Sequence, residues 1–197
     1  EPFLDGYTAS SLNEYLLGNE YFGKESHIYS PAYKEAQMDR YLEKATHIVF
    51  NSMNQWHKFK RKTLQSSAEP GLRINPEQSE VNIEIYNPCK KHSRFGVTKK
   101  ELIGNDITGI SGIHIHNCCG SHVDSLERTI QKIEKDFPEI LEQINWVNFG
   151  GGHVITSPSY DRKQLCSLIK RFQETHNVQV ILEPGEAIVL EAGYLVS

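Results

Sequence analysis

The sequence repeats one pattern along its length: a short apolar run, a polar or glycine-rich turn, and then an amphipathic stretch. This order is typical of β/α units, in which a buried strand leads through a loop into a helix that covers the sheet. The strongest helical patterns lie at 123–144 and 163–176, where apolar residues recur at steps of three and four. Six apolar runs predict strands at 27–30, 47–50, 71–74, 112–116, 146–149 and 178–182.

Polar or flexible residues follow nearly every one of these predicted strands, directly at its C-terminal end. Residues in that position on several strands build the active site of a β/α barrel, whereas a doubly wound sheet has its site at one switch point. The sequence therefore favours a TIM-like (β/α)8 barrel. A complete barrel typically has about 250 residues, so we expect this 197-residue chain to be about two units short, at its N-terminus.

The composition and charge of the chain argue against a nucleic-acid-binding, membrane-spanning or disulfide-rich protein. Lys and Arg total 21 against 25 Asp and Glu, a net charge of -4, which argues against a surface built to neutralise nucleic-acid phosphates. No apolar run approaches the ~20 residues that a helix needs to cross a bilayer. The four cysteines are few for a disulfide framework. We therefore expect a cytoplasmic protein with reduced thiols and no nucleic-acid or membrane partner.

The strand predicted at 112–116 carries two histidines, His114 and His116. Because side chains alternate along a strand, both imidazoles are expected on the same face, toward the barrel lumen. They fit a catalytic site, and they fit a hydrogen-bonded core equally well. A zinc site is a third interpretation, but the spacing matches no common ligand pattern, so we predict no metal. The neighbouring residues that a zinc site would use are Cys118, Cys119 and His122.

Three consecutive glycines, Gly150, Gly151 and Gly152, follow the strand predicted at 146–149. Glycines let the backbone approach a ligand closely, and successive N–H groups can form a nest for an anion such as phosphate. A tight turn between strand and helix would explain the same residues. The triplet is not a Walker loop, because no Gly-Lys-Ser/Thr follows it.

A carboxylate, Glu183, ends the last predicted strand and is followed by Pro184 and Gly185. Burying a charge at this point is costly unless it has a partner. A surface turn is one interpretation. The functional one is a carboxylate that faces a cationic ring nitrogen or a substrate ammonium.

Taken together, the motifs resemble the fold-type III pyridoxal-phosphate decarboxylases, relatives of alanine racemase and of ornithine and diaminopimelate decarboxylases. Within that family the sequence is most similar to the branch that decarboxylates carboxynorspermidine or carboxyspermidine. The resemblance extends over essentially all of the chain. The motifs that carry it are Tyr29-Ser-Pro-Ala-Tyr33, His47-Ile-Val-Phe-Asn-Ser52, Gly71-Leu-Arg-Ile-Asn-Pro76, Tyr86-Asn-Pro-Cys89, Ser93-Arg-Phe-Gly96, Trp146-Val-Asn-Phe-Gly-Gly-Gly-His153 and Leu182-Glu-Pro-Gly-Glu-Ala187.

The resemblance implies a barrel of the alanine racemase type and pyridoxal 5'-phosphate as cofactor. It implies that His116 stacks on the cofactor ring and that Glu183 keeps the pyridine nitrogen protonated, so that the ring accepts electrons when CO2 departs. The glycines at 150–152 would bind the phosphate. Cys119 stands where several relatives have a phosphate-binding serine.

For the substrate, the resemblance implies a polyamine that carries a carboxylate. Glu186 stands where ornithine-type enzymes have an arginine, and this replacement is characteristic of the carboxynorspermidine branch. We interpret it as a contact to a substrate amine. Arg73 and Arg94 are candidate cations for the cofactor or the substrate carboxylate. The expected products are norspermidine or spermidine.

The family's cofactor-carrying lysine is expected before the first residue of this sequence. Residues 1–190 are predicted to form part of the cofactor-binding barrel, and 191–197 the start of a C-terminal β-domain or a truncation. The resemblance also implies a homodimer with active sites at the interface. Two alternatives are another decarboxylase of the diaminopimelate or ornithine type, and a non-catalytic relative that acts by protein binding.

Overall fold

The computed structural model describes residues 3–81 and 83–194. The chain divides into two compact units. The first comprises Glu1–Ile74 and Phe95–His114, and the second Asn75–Arg94 and Ile115–Ser197. None of the described helices is long and apolar enough to cross a membrane.

The first unit is a parallel sheet covered by helices. Its strands pair in chain order, each with the next, for example His27 opposite His47 and Gly71 opposite Gly112. Parallel strands need a crossover between them, and the helices provide most of these crossovers. The strands are β1 (Gly6–Ala9), β2 (Glu25–Tyr29), β3 (His47–Phe50), β4 (Glu69–Arg73) and β5 (Gly112–His114). The helices are α1 (Leu12–Tyr21), α2 (Glu35–Leu42), α3 (Met53–Leu64) and α4 (Lys99–Leu102).

Aromatic side chains fill the core of this unit between β3 and α3. Ser52 begins α3 by accepting a hydrogen bond from the N–H of Gln55 at 3.3 Å, as a helix cap does. Beyond the cap, Trp56 and Phe59 pack against Phe50, with ring centroids 5.6 and 6.2 Å from that of Phe50. All three aromatic side chains are buried. The strand predicted at 47–50 is confirmed with the same bounds.

The second unit contains two further parallel strands, which pair with Val147 opposite Val180. The strands are β6 (Trp146–Asn148) and β7 (Gln179–Ile181). The helices are α5 (Val123–Asp136), α6 (Pro138–Leu141), α7 (Arg162–His176) and α8 (Gly185–Val189), with a 3-10 turn at Glu84–Tyr86. The helix predicted at 123–144 is interrupted at Phe137, because Pro138 lacks an N–H to continue the hydrogen-bonding ladder and instead begins α6.

The described residues form seven strands where the sequence predicted six. The strand that was missed is β1, which none of the six predicted strands covers. It has four residues, of which only Ala9 is buried, so it presents no apolar run. β1 is recognised as a strand by its parallel pairing with β2, not by a pattern in its own sequence. The C-terminal β-domain expected to start at 191–197 falls partly on residues 195–197, which lie outside the described part of the chain.

Candidate active site

A histidine and a carboxylate lie together in the second unit. Glu183 follows β7, and its Oε2 lies 3.8 Å from His116 Nδ1. The Glu183 side chain is 13% exposed and that of His116 is 38% exposed, so the carboxylate is the deeper of the two. Asn148, at the end of β6, donates from Nδ2 to Glu183 Oε1 at 2.8 Å. His116 and Glu183 therefore lie side by side, and their predicted roles toward a cofactor stay predictions.

The glycine triplet is packed too tightly for any side chain. A Cβ on Gly150 would lie 2.8 Å from Cγ of His116, and one on Gly151 would lie 2.5 Å from the carbonyl oxygen of Glu183. Gly150 and Gly152 also have positive φ angles, 67° and 83°. Real Cβ atoms do not approach so closely, so this loop needs glycine for both space and conformation. The loop therefore lies directly against the two predicted cofactor residues.

Cys119 lies in the loop that faces Gly152. Ser121 donates its backbone N–H to the Gly152 carbonyl at 2.9 Å, and the Cys119 N–H donates to Ser121 Oγ at 3.3 Å. Cys119 is exposed, whereas Cys118 is buried, and burial raises the pKa of the Cys118 thiol. These two N–H groups donate within the protein, and their bonds hold the loop of Cys119 against Gly152, so that the exposed Cys119 lies beside the glycine triplet.

Arg73 lies in the first unit, at the end of β4. It is 7% exposed, and its guanidinium carbon lies 4.6 Å from the ring centroid of Tyr29 and 4.9 Å from that of Phe95. Tyr29 in turn donates its hydroxyl to Asn51 Oδ1 at 2.8 Å, and Gly96 N–H donates to the same oxygen at 2.9 Å. Stacking between two rings is a stable position for a guanidinium. Its predicted contact with the cofactor or substrate stays a prediction.

The remaining predicted residues lie in the second unit. Glu186 is exposed in the first turn of α8, and Arg94 is exposed in the connection between β4 and β5. The zinc interpretation gains no support from the cysteines: within 3–81 and 83–194, no cluster of three possible metal ligands contains Cys118, Cys119 or His122.

Asn148 is the residue that sequence reasoning missed. It stood within the glycine motif and was given no role. A largely buried carboxylate at a strand end requires a donor, and that requirement was the available signal.

Residues 14–190 match the family model described as pyridoxal-dependent decarboxylase, pyridoxal binding domain. The chain belongs to this family. The predicted cofactor class is thereby confirmed, and the residues fit it: a glycine cradle, a carboxylate and an imidazole converge in the second unit.

Among known proteins, the chain is 44% identical over 195 residues to a carboxyaminopropylagmatine decarboxylase of Synechocystis sp., covering 98% of this chain and 50% of that protein. It is 43% identical to a carboxynorspermidine/carboxyspermidine decarboxylase of Campylobacter jejuni, and the match covers 99% of this chain and 50% of that protein. The crystal structure of carboxynorspermidine decarboxylase from Campylobacter jejuni, complexed with norspermidine, matches with a TM-score of 0.86 and 41% identity over 95% of this chain and 48% of that one. These matches confirm the expected fold class, the TIM-like barrel of the alanine racemase type. The chain spans about half the length of these relatives.

Proposed function

We propose that the protein removes the carboxylate of carboxynorspermidine or carboxyspermidine as CO2, giving norspermidine or spermidine, with pyridoxal phosphate as cofactor. The observation that carries the proposal is the pairing of His116 with Glu183 directly against the glycine triplet. The similarity to the Campylobacter jejuni enzyme supports the same substrate class.

Each residue of this site has a distinct task in the proposal. When bound, pyridoxal phosphate supplies a ring that accepts the electrons left by the departing CO2. Glu183 holds a proton on the ring nitrogen, and His116 packs on the ring face. Gly151 and Gly152 would bind the phosphate through their backbone N–H groups, with the exposed Cys119 beside them. Asn148 supports Glu183 by donating to its carboxylate.

Glu186 is proposed to bind an amine of the substrate. A polyamine is strongly cationic, and a carboxylate forms charge-assisted hydrogen bonds with ammonium groups. The exposed position of Glu186 in the first turn of α8, shortly after Glu183 in the chain, suits a substrate that extends away from the cofactor. The homodimer implied by the resemblance also remains part of the proposal.

A second candidate substrate is carboxyaminopropylagmatine, because the Synechocystis relative named for it is as similar to this chain as the carboxynorspermidine relative is. The two candidates differ in the group at the far end, an ammonium or a guanidinium.

The test uses the full-length protein. Absorption spectra with and without borohydride, after addition of pyridoxal phosphate, show whether the cofactor becomes fixed to the protein. CO2 release is then measured from both candidate substrates and from diaminopimelate and ornithine. We expect release from carboxynorspermidine and a decrease of at least about 100-fold for Glu183→Gln, since loss of a charge that acts on the reacting system typically costs several kcal/mol. A folded full-length protein that binds no cofactor would favour the non-catalytic alternative. Release from diaminopimelate or ornithine alone would favour the other decarboxylases.

A further inference from the structure

The side chain of Asn148 bonds both Glu183, the predicted contact to the cofactor ring, and Gly150, in the predicted phosphate loop. The residue is fully buried at the end of β6. Nδ2 donates to Glu183 Oε1 at 2.8 Å, and Oδ1 accepts the backbone N–H of Gly150 at 2.7 Å. Glu183 belongs to the predicted ring contacts, and Gly150 to the predicted phosphate contacts. One amide therefore bonds a group from each end of the site.

The orientation of this amide is determined by its surroundings. A backbone N–H can only donate, so the oxygen of the Asn148 amide must face Gly150. The NH2 group must then face Glu183. A neutral donor stabilises the charge of a partly buried carboxylate without adding a second charge beside it.

The backbone around Asn148 is held on both sides. Its carbonyl accepts the N–H of Ile115 at 2.8 Å, and the next N–H, of Phe149, donates to the Ile181 carbonyl at 3.0 Å. The Phe149 ring is buried and packs edge-on against Phe172, with centroids 5.2 Å apart. The amide therefore projects from a rigid strand end, as a positioning group should.

We propose that Asn148 is a positioning residue that fixes the Glu183 carboxylate and the first glycine of the phosphate loop relative to one another. The inference rests on the proposed function, because it assigns Asn148 to the same cofactor site. It predicts that one substitution affects the rate through Glu183 and cofactor affinity through Gly150.

The test compares Asn148→Ala with a control, Thr129→Val, in the full-length protein. Thr129 is a buried residue of α5 whose hydroxyl bonds the side chain of Asn117 and the carbonyl of Ser125. For Asn148→Ala we expect kcat to fall about 10- to 100-fold, the effect of losing a hydrogen bond to a charged group. The dissociation constant for pyridoxal phosphate should rise by roughly 2- to 10-fold, as for a lost neutral hydrogen bond. Thr129→Val should lower the unfolding temperature but change neither quantity by more than about twofold.

Asn148→Asp provides a readout that a purely structural role would not affect. Its kcat is compared with that of the parent across a range of pH. When the new carboxyl is protonated, this variant can donate to Glu183 as the amide does. When that carboxyl is ionised, it cannot donate, and it repels Glu183. The ratio of the variant's kcat to the parent's should therefore rise as pH falls, while the ratio for Asn148→Ala stays flat.

A measurement independent of turnover follows the ring nitrogen of the cofactor. With pyridoxal phosphate labelled with 15N in the ring, the nitrogen resonance should move toward the unprotonated position in Asn148→Ala and stay at the parent's position in Thr129→Val. An unchanged resonance together with an unchanged kcat in Asn148→Ala would overturn the inference, as would equal losses in the two variants. A parent that binds cofactor but releases no CO2 from either substrate would refute the proposed function instead, and the resonance and the dissociation constant would still test Asn148.

Discussion

We predict that His27 makes the stability of the fold strongly dependent on pH. It is 5% exposed in β2, with the His47 ring 5.3 Å away. Burial, with a smaller contribution from the charge of His47, lowers the pKa of His27 from 6.5 to about 3. In the unfolded chain the same imidazole takes up a proton below its ordinary pKa. The unfolded state therefore binds more protons between pH 6.5 and 3, and stability is lost as the pH falls through this window.

The size of the loss follows from the shift. At ~1.36 kcal/mol per pKa unit, His27 alone should reduce the free energy of unfolding by about 3 kcal/mol between pH 7 and pH 4. Burial also lowers the pKa values of His47 and His153, which adds to the loss in the parent protein. Replacing His27 by Phe removes its share and leaves the others in place.

The assay is urea denaturation at pH 7 and at pH 4, for the parent, His27→Phe and the control His57→Gln, which changes an exposed histidine on α3. The decrease in unfolding free energy should be smaller by about 3 kcal/mol in His27→Phe than in the parent. His57→Gln should behave as the parent does. If His27→Phe lost as much stability on acidification as the parent, the assignment of the acid sensitivity to His27 would be wrong.

Three further changes test the packing and the phosphate loop. Gly152→Ala should abolish tight binding of pyridoxal phosphate, because the new Cβ would lie 2.2 Å from the carbonyl oxygen of Cys118. Gly185→Ala is the control and should bind normally, because its Cβ would have no atom within 4 Å. A titration with pyridoxal phosphate distinguishes the two variants. Cys119→Ser should keep cofactor affinity within about threefold of the parent's. Cys119→Asp should weaken it by more than about tenfold, because its carboxylate repels the phosphate. Equal affinities of the two variants would place the phosphate elsewhere. Trp56→Ala should cost about 3–5 kcal/mol of unfolding free energy, while the exposed Leu17→Ala should cost less than about 0.5 kcal/mol by urea denaturation.

The sequence predicted those parts of the fold that have a strong local signal. The strand at 47–50 is a compact apolar run, and all four of its residues are buried. The helical pattern at 123–144 is correct in its apolar face, but Pro138 divides it, which the periodicity of apolar residues does not register. Strand β1 has no local signal, because a neighbouring strand rather than a buried apolar face defines it.

Some residues of the site could be predicted from the sequence, whereas the role of Asn148 depends on how β6 and β7 pair. His116, Glu183 and the glycine triplet each had a purely structural explanation as well, and the sequence could nominate them because their motifs together resemble those of a known cofactor-binding family. Asn148 is a residue type that also caps helices and forms turns, and its identity alone indicates nothing. Its role arises because β6 and β7 pair with Asn148 opposite Ile181, which places an amide of one strand beside a carboxylate 35 residues later. A carboxylate largely buried at a strand end must find a donor on an adjacent strand end. That requirement, applied to Glu183, would have selected Asn148 as the polar residue closing the preceding strand.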